Sequence, residues 1–404
     1  MVSQIRALVA RTNPQSEKSR LIHYVIAAIL ARMATGGSAV AIILLARTYG
    51  ADGKTAGALA ACLTAPHVLG PIYGRWLDKV RDRRLIIAAS ALLFAGFFQL
   101  AMLGFEWGLF WLTIGALLVC GSCSSFMMGG LSTQLINLVD EDMASRRRAQ
   151  SWDTITYGFG LTFGPLLIGL LSAAYSTQVS ISVLMSLPVL AGLIMLNLPM
   201  RSSITTLQQG VTPGLKQVIG IMRHSGPLMR TLSMTSGASF AVAALPVLAV
   251  YLSEVWHHGK ENGAYLVTFY GVGCLCGALF LMLKPMKAEA LILLRNVGAI
   301  LLLTLICVAL SQSFSAGLFT YWLCGVVNSI FFAVTLAARS EYAPQQGAAQ
   351  IYMWVAAAKI SAASLGAFVA GFLVEYSSTL SLVVCSTVLM LTLLLCFWRR
   401  EHTS

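Results

Sequence analysis

Residues 55–104 read TAGALAACLTAPHVLGPIYGRWLDKVRDRRLIIAASALLFAGFFQLAMLG. Two apolar runs, 55–74 and 85–104, flank a short basic stretch. Each run matches the ~20 residues a helix needs to cross a bilayer's hydrocarbon core. The stretch between them, Gly74 to Arg84, holds Arg75, Lys79, Arg81, Arg83 and Arg84 against Asp78 and Asp82. Apolar residues cover every face of both runs, whereas a surface helix of a soluble protein keeps a polar face. The segment therefore reads as a transmembrane hairpin whose positive loop stays on the cytoplasmic side.

The same pattern repeats along the chain. Apolar runs fall at 21–46, 55–74, 85–104, 107–131, 152–174 and 179–198. A polar stretch over 199–227 follows, and then six further runs at 228–252, 262–283, 290–311, 315–337, 349–374 and 379–398. We number these spans 1 to 12. Across all 404 residues the hydrophobic fraction is 57% and the charged fraction 10%. A soluble domain carries about 25% charged residues, so composition alone excludes an ordinary soluble enzyme, a disordered chain and a secreted disulfide scaffold. The expected fold class is an all-α membrane protein with twelve transmembrane helices in two six-helix bundles around a central cavity.

Positive charge sets the orientation. Arg20, the 74–84 loop, Arg146 to Arg148, Arg201, Lys216, Arg223, Arg230, Lys284, Lys287, Arg295, Arg339 and Arg399 share one side under this span count. Arg47, Lys54 and Lys260 occupy the other. Both termini are expected in the cytoplasm of a bacterium, with the protein multi-pass in the inner membrane. The net charge of +12 is spread over loops on one membrane face, which argues against a nucleic-acid partner. Residues 1–198 and 228–404 form the two bundles, and 199–227 a cytoplasmic linker. In that linker Leu215, Val218, Ile219 and Met222 share one helical face, as in an amphipathic helix lying on the membrane surface or a loop helix packing on the protein. Ala149-Gln150 opening span 5 and Ala349-Gln350 opening span 11 hint at a duplicated unit, as does Cys120-Gly121 against Cys324-Gly325.

All nine cysteines lie inside apolar runs, where a disulfide staple has no loop to tie. Cys120 and Cys123 form a CxxC, and Cys274 and Cys276 a CxC, without a nearby histidine or acid to complete a metal site. No cofactor or metal is expected. No zincin motif, nucleophile elbow or phosphate loop is present, so a membrane enzyme or a scaffold is disfavoured and energy must come from an ion gradient.

The stretch from Gly74 through Asp78 and Lys79 to Arg83 and Arg84 resembles motif A of the major facilitator superfamily, with Arg81 and Asp82 departing from its pattern. Span 5 carries Gly160-Leu-Thr-Phe-Gly164-Pro165, which is similar to the superfamily's motif C. Small residues at this spacing let a neighbouring backbone approach, and Pro165 removes a backbone donor and bends the helix. The resemblance implies two bundles that rock about a midplane site in alternating access. It implies a monomer, with motif A latching the cytoplasmic side. Motif C points to an exporter, chiefly an antiporter of drugs or metabolites, with H+ as the coupling ion.

Ionisable residues inside the spans mark the expected site, because each costs about 2.5–3.5 kcal/mol at a helix centre. Arg32 and Lys359 lie near the midplane of spans 1 and 11. His67 sits in span 2 and Asp153 at the cytoplasmic start of span 5. By the resemblance, Arg32 faces the cavity, and His67 approaches Lys359 as a proton-sensitive group. Asn328, Ser239, Phe240 and Tyr270 are candidate pocket residues on spans 10, 7 and 8. Two cations without a midplane carboxylate favour an anionic substrate group. Asp153 follows Arg146 to Arg148 and is expected in a gate salt bridge, while Arg32 has the alternative of a structural pairing with Asp153. The leading expectation is an exporter of a small organic anion. An importer of an anionic nutrient or carboxylate siderophore and a general multidrug antiporter are the alternatives.

Overall fold

A computed structural model describes residues 17–70, 72–73, 82–138, 143–197, 215–284, 286, 288–343 and 348–398. Span 1 is the helix Glu17–Thr48, span 3 Arg83–Glu106, span 4 Phe110–Leu138, span 5 Met143–Ala174 and span 6 Thr177–Leu196. Span 8 is Gly263–Leu283, span 9 Ala290–Ala309, span 10 Phe314–Tyr342, span 11 Ala348–Val374 and span 12 Ser378–Trp398. Among the described residues the secondary structure is helical throughout.

Eleven of the twelve expected spans are long and apolar enough to cross a membrane. Span 2 departs from the expectation of a continuous helix. It is the α-helix Gly53–Thr64 followed by a tighter turn over Ala65–Leu69. Pro66 enters that turn at its first positions, where a proline's missing N–H costs least. Span 7 is also divided, into Gly226–Val242 and Ala244–Val255. Pro246 follows this break and denies its own N–H to the ladder. The buried Tyr321 of span 10 donates to the Leu245 carbonyl at 3.0 Å, beside this break. Polar residues start the helices after tight loops: Asp52, Asp82, Ser176, Ser225 and Ser313 each cap a helix through the side chain.

Packing in the first half recurs in the second. Spans 1 and 5 pack together, as do 7 and 11; the 1–6, 2–4, 3–4 and 3–6 contacts recur as 7–12, 8–10, 9–10 and 9–12. Between the halves, span 2 meets span 11, span 5 meets span 8, and span 1 meets span 7. Large apolar side chains point outward along the bundle, among them Leu85, Leu303 and Leu395. That surface is suited to lipid rather than water.

The linker helix spans Leu215–His224. Its Met222 is buried with Leu228, Ile351 and Val355, and Ile221 packs against them. Ile221 and Met222 of this helix thus lie on spans 7 and 11.

Candidate functional site

The basic loops define one end of the bundle, and the loop holding Asp52 lies at the far end. Arg32 sits on span 1 between them and is only 2% exposed. Asp153, one helix away on span 5, approaches it to 2.8 Å between Oδ1 and Nη2. Arg32 Nη1 donates to the Asp153 carbonyl at 2.6 Å and to Thr156 Oγ1. The Tyr24 hydroxyl donates to Asp153 Oδ1, and the Arg32 guanidinium lies 3.5 Å from the Tyr157 ring centre. Thr156 and Tyr157 follow Asp153 by three and four residues, so all three share one face of span 5. A charge buried this deeply requires such a set of partners.

The glycines of the motif C-like segment belong to the same seam. A methyl group on Gly160 would lie 2.5 Å from the Arg32 carbonyl oxygen, and one on Gly164 would lie 2.6 Å from the Gly37 nitrogen. The missing side chains bring spans 1 and 5 close enough for Arg32 to reach Asp153. Span 5 runs as one helix through Pro165.

The second cluster is in the other half. Lys359 Nζ lies 3.7 Å from the centre of the Phe332 ring, a cation–π contact between spans 11 and 10. Lys359 makes no ion pair among the described residues. Asn328 precedes Phe332 by one helical turn, and its Nδ2 donates to the Tyr270 hydroxyl of span 8 at 2.6 Å. Tyr270 and Cys274 stand one turn apart on span 8. Tyr321, Asn328, Phe332 and Arg339 recur on one face of span 10, where Tyr321 meets span 7 and Phe332 and Arg339 meet span 11. Phe332 is nonetheless 41% exposed, so protein does not close over the ring beside Lys359, and the Asn328 amide stands one turn along the same helix.

His67 Nδ1 is 3.1 Å from the Thr64 carbonyl, in a turn that packs on span 11, and Lys359 lies over Phe332. Ser239 and Phe240 border the break in span 7. The Ser239 carbonyl accepts the Ala243 N–H at 3.1 Å, and the Phe240 backbone packs against Gly366. Arg83 opens span 3, and Arg84 forms an ion pair with Asp82 at 2.9 Å. Gly74, Asp78 and Lys79 lie outside the described residues, as do the side chains of Arg146 to Arg148.

One cluster escaped sequence reading. At the far end Arg47 Nη2 meets Glu254 Oε2 at 2.8 Å, and its guanidinium lies 4.3 Å from the Tyr251 ring centre. Tyr251 donates to Glu375 Oε1 at 3.1 Å, and the same oxygen accepts the Gly53 N–H. These contacts join spans 1 and 2 to spans 7 and 11, hence one half to the other. Farther in, Thr64 and Ser364 hydroxyls meet at 2.7 Å across the same seam. The only hint in the sequence was that Arg47 is one of three cations on the poorly charged side.

The whole architecture has solved counterparts. A point variant of the nucleoside transporter NupG superposes with a TM-score of 0.75 at 13% identity, covering 95% of this chain and all of the other. A variant of the peptide transporter POT gives 0.73 at 14% identity, over 94% of this chain and 93% of the other. At such identities the likeness establishes the fold alone. No curated protein matches by sequence. The family model of the Major Facilitator Superfamily matches residues 24–286, about two thirds of the chain. Eleven membrane-length helices among the described residues, in two similarly packed halves, agree with that match, and the chain belongs to the major facilitator superfamily of membrane transporters.

Proposed function

We propose that the protein is a secondary active transporter that exports a small organic anion across a bacterial inner membrane, coupled to H+. The observation that carries the substrate class is Lys359. It lies eleven residues after the start of the span 11 helix and fifteen before its end, beside the part-exposed Phe332 ring, with no carboxylate partner among the described residues. A cation kept there at the expense of desolvation suits a ligand that brings the counter-charge. Arg32 has a different role in this reading. Its partners are supplied by span 5, so it holds the first half together, and the anion site lies in the second half.

The far-end contacts of Arg47, Glu254 and Glu375 support a conformer closed on the outside. Transport would then require the halves to separate there and close at the basic end, where the motif A-like loop stands. The outward direction rests on the Gly160–Pro165 resemblance to motif C.

Purified protein in liposomes provides the test, with a panel of organic acids, a nucleoside, a dipeptide and cationic dyes as cargo. Acids should be transported, and Lys359→Met should slow them roughly ten- to hundredfold, the worth of a hydrogen bond to a charged group. Transport of dyes alone, indifferent to Lys359→Met, would replace this reading with multidrug efflux. Uptake on an outward-directed acid gradient with no efflux would make the protein an importer.

A further inference from the structure

The arrangement around Asn328 narrows the substrate class, given the anion site at Lys359 on which this inference rests. The Asn328 amide has a committed end and an open one. Its Nδ2 donates to the Tyr270 hydroxyl at 2.6 Å, and this bond sets the direction of the amide. Asn328 Oδ1 therefore points away from Tyr270 and has no protein donor among the described contacts.

That oxygen belongs to the same face of span 10 as Phe332, one turn along the helix. Residues four apart stand about 5–6 Å from each other. Lys359 Nζ is 3.7 Å from the Phe332 ring centre. A cation and an acceptor thus flank the same part-exposed stretch of span 10. The cation matches a carboxylate. The acceptor matches a hydroxyl or amino hydrogen a few bonds farther along the same small molecule. Once a bound substrate covers it, such an acceptor discriminates against an analogue lacking the donor, since it is then left unpaired.

We propose that the transported anion is a small hydroxy or amino acid, whose carboxylate pairs with Lys359 and whose O–H or N–H donates to Asn328 Oδ1. Tyr270 is the positioning residue that keeps the amide in this orientation. Dicarboxylates with a hydroxyl fit the spacing, and malate and succinate form a matched pair differing only in that group.

Binding of malate, succinate, lactate, propionate and oxaloacetate is measured by calorimetry on the purified full chain in lipid nanodiscs. Malate should bind about three- to tenfold tighter than succinate, and lactate tighter than propionate by a similar factor, the range of a neutral hydrogen bond. Asn328→Leu should bring malate to the succinate level without weakening succinate. Tyr270→Phe, nearly isosteric, should shrink the discrimination by freeing the amide to turn. Lys359→Met should remove binding of both acids. Equal, Lys359-dependent binding of malate and succinate would overturn this inference and leave the anion site standing. Oxaloacetate binding as tightly as malate would also overturn it, because a keto group accepts and does not donate. Binding of none of the acids, or binding untouched by Lys359→Met, would remove the anion site itself and this inference with it.

Discussion

Arg47 at the end of span 1 and Glu254 at the end of span 7 meet at 2.8 Å, and this pair ties one half of the transporter to the other. The side chains are 23% and 34% exposed. The pair is reinforced by the Tyr251 ring under Arg47 and by the Tyr251–Glu375–Gly53 chain of hydrogen bonds.

Loosening this seal should open the far end. A half-exposed ion pair contributes at most about 1 kcal/mol, so Glu254→Gln should shift the conformational balance by no more than about fivefold. Hydrogen exchange of protein in nanodiscs should speed up over residues 47–57 and 367–376. High salt should produce part of the same effect in the unmodified protein, because a pair this accessible is screened. Unchanged exchange in both peptides would show that apolar packing alone keeps the outside closed.

The Arg32–Asp153 pair should behave differently, since it is buried. Removing one partner leaves an uncompensated charge and costs about 3–5 kcal/mol. Asp153→Leu should therefore lower the unfolding temperature sharply, while Arg32→Met combined with Asp153→Leu should recover most of the loss. Thermal unfolding of the single and double variants distinguishes this coupling from simple additivity.

Gly160 and Gly96 offer a matched comparison within the first half. A methyl group at Gly160 runs into the Arg32 backbone, whereas nothing lies within 4 Å of one at Gly96. Gly160→Ala should destabilise by roughly 1–3 kcal/mol through overpacking. Gly96→Ala should be neutral or stabilising by up to about 1 kcal/mol, the helix preference of alanine over glycine. Equal unfolding temperatures for the two variants would show that spans 1 and 5 can move apart at no cost.

Asp82 supplies a test of sign. Hydrogen bonds from Arg84 hold its carboxyl below the usual carboxylate range, and it also caps span 3. The folded state favours the ionised form, so the contribution is complete above the ordinary carboxylate pKa of about 3.9 and fades as pH falls through the depressed value. Asp82→Ala should cost about 1 kcal/mol, and by the same amount at pH 5 and pH 8. A cost that differs between those two pH values would assign the titration to another group.

Local chemistry made much of the fold legible. Apolar runs of 20 residues, a one-sided excess of arginine and lysine, and polar caps after tight loops all act within a single hairpin. Span 2 was less readable, because hydropathy registers Pro66 as one apolar residue while the backbone registers a lost donor. The linker helix was legible as amphipathic, but periodicity does not say what covers the apolar face. Tertiary packing placed Met222 on Ile351 and Val355, more than a hundred residues away.

By itself, the sequence determined that this chain spans a membrane about twelve times, which side its basic loops share, and which few charges lie inside. Those properties follow from burial costs paid residue by residue. Only the tertiary structure decided what each internal charge is for. Arg32 and Lys359 look alike in sequence, each a lone cation in an apolar helix. Arg32 faces a carboxylate 121 residues away, brought close by the Gly160 seam. Lys359 faces an aromatic ring, with no carboxylate partner among the described residues. The difference is set by which helices adjoin, a long-range property that no local window of sequence contains.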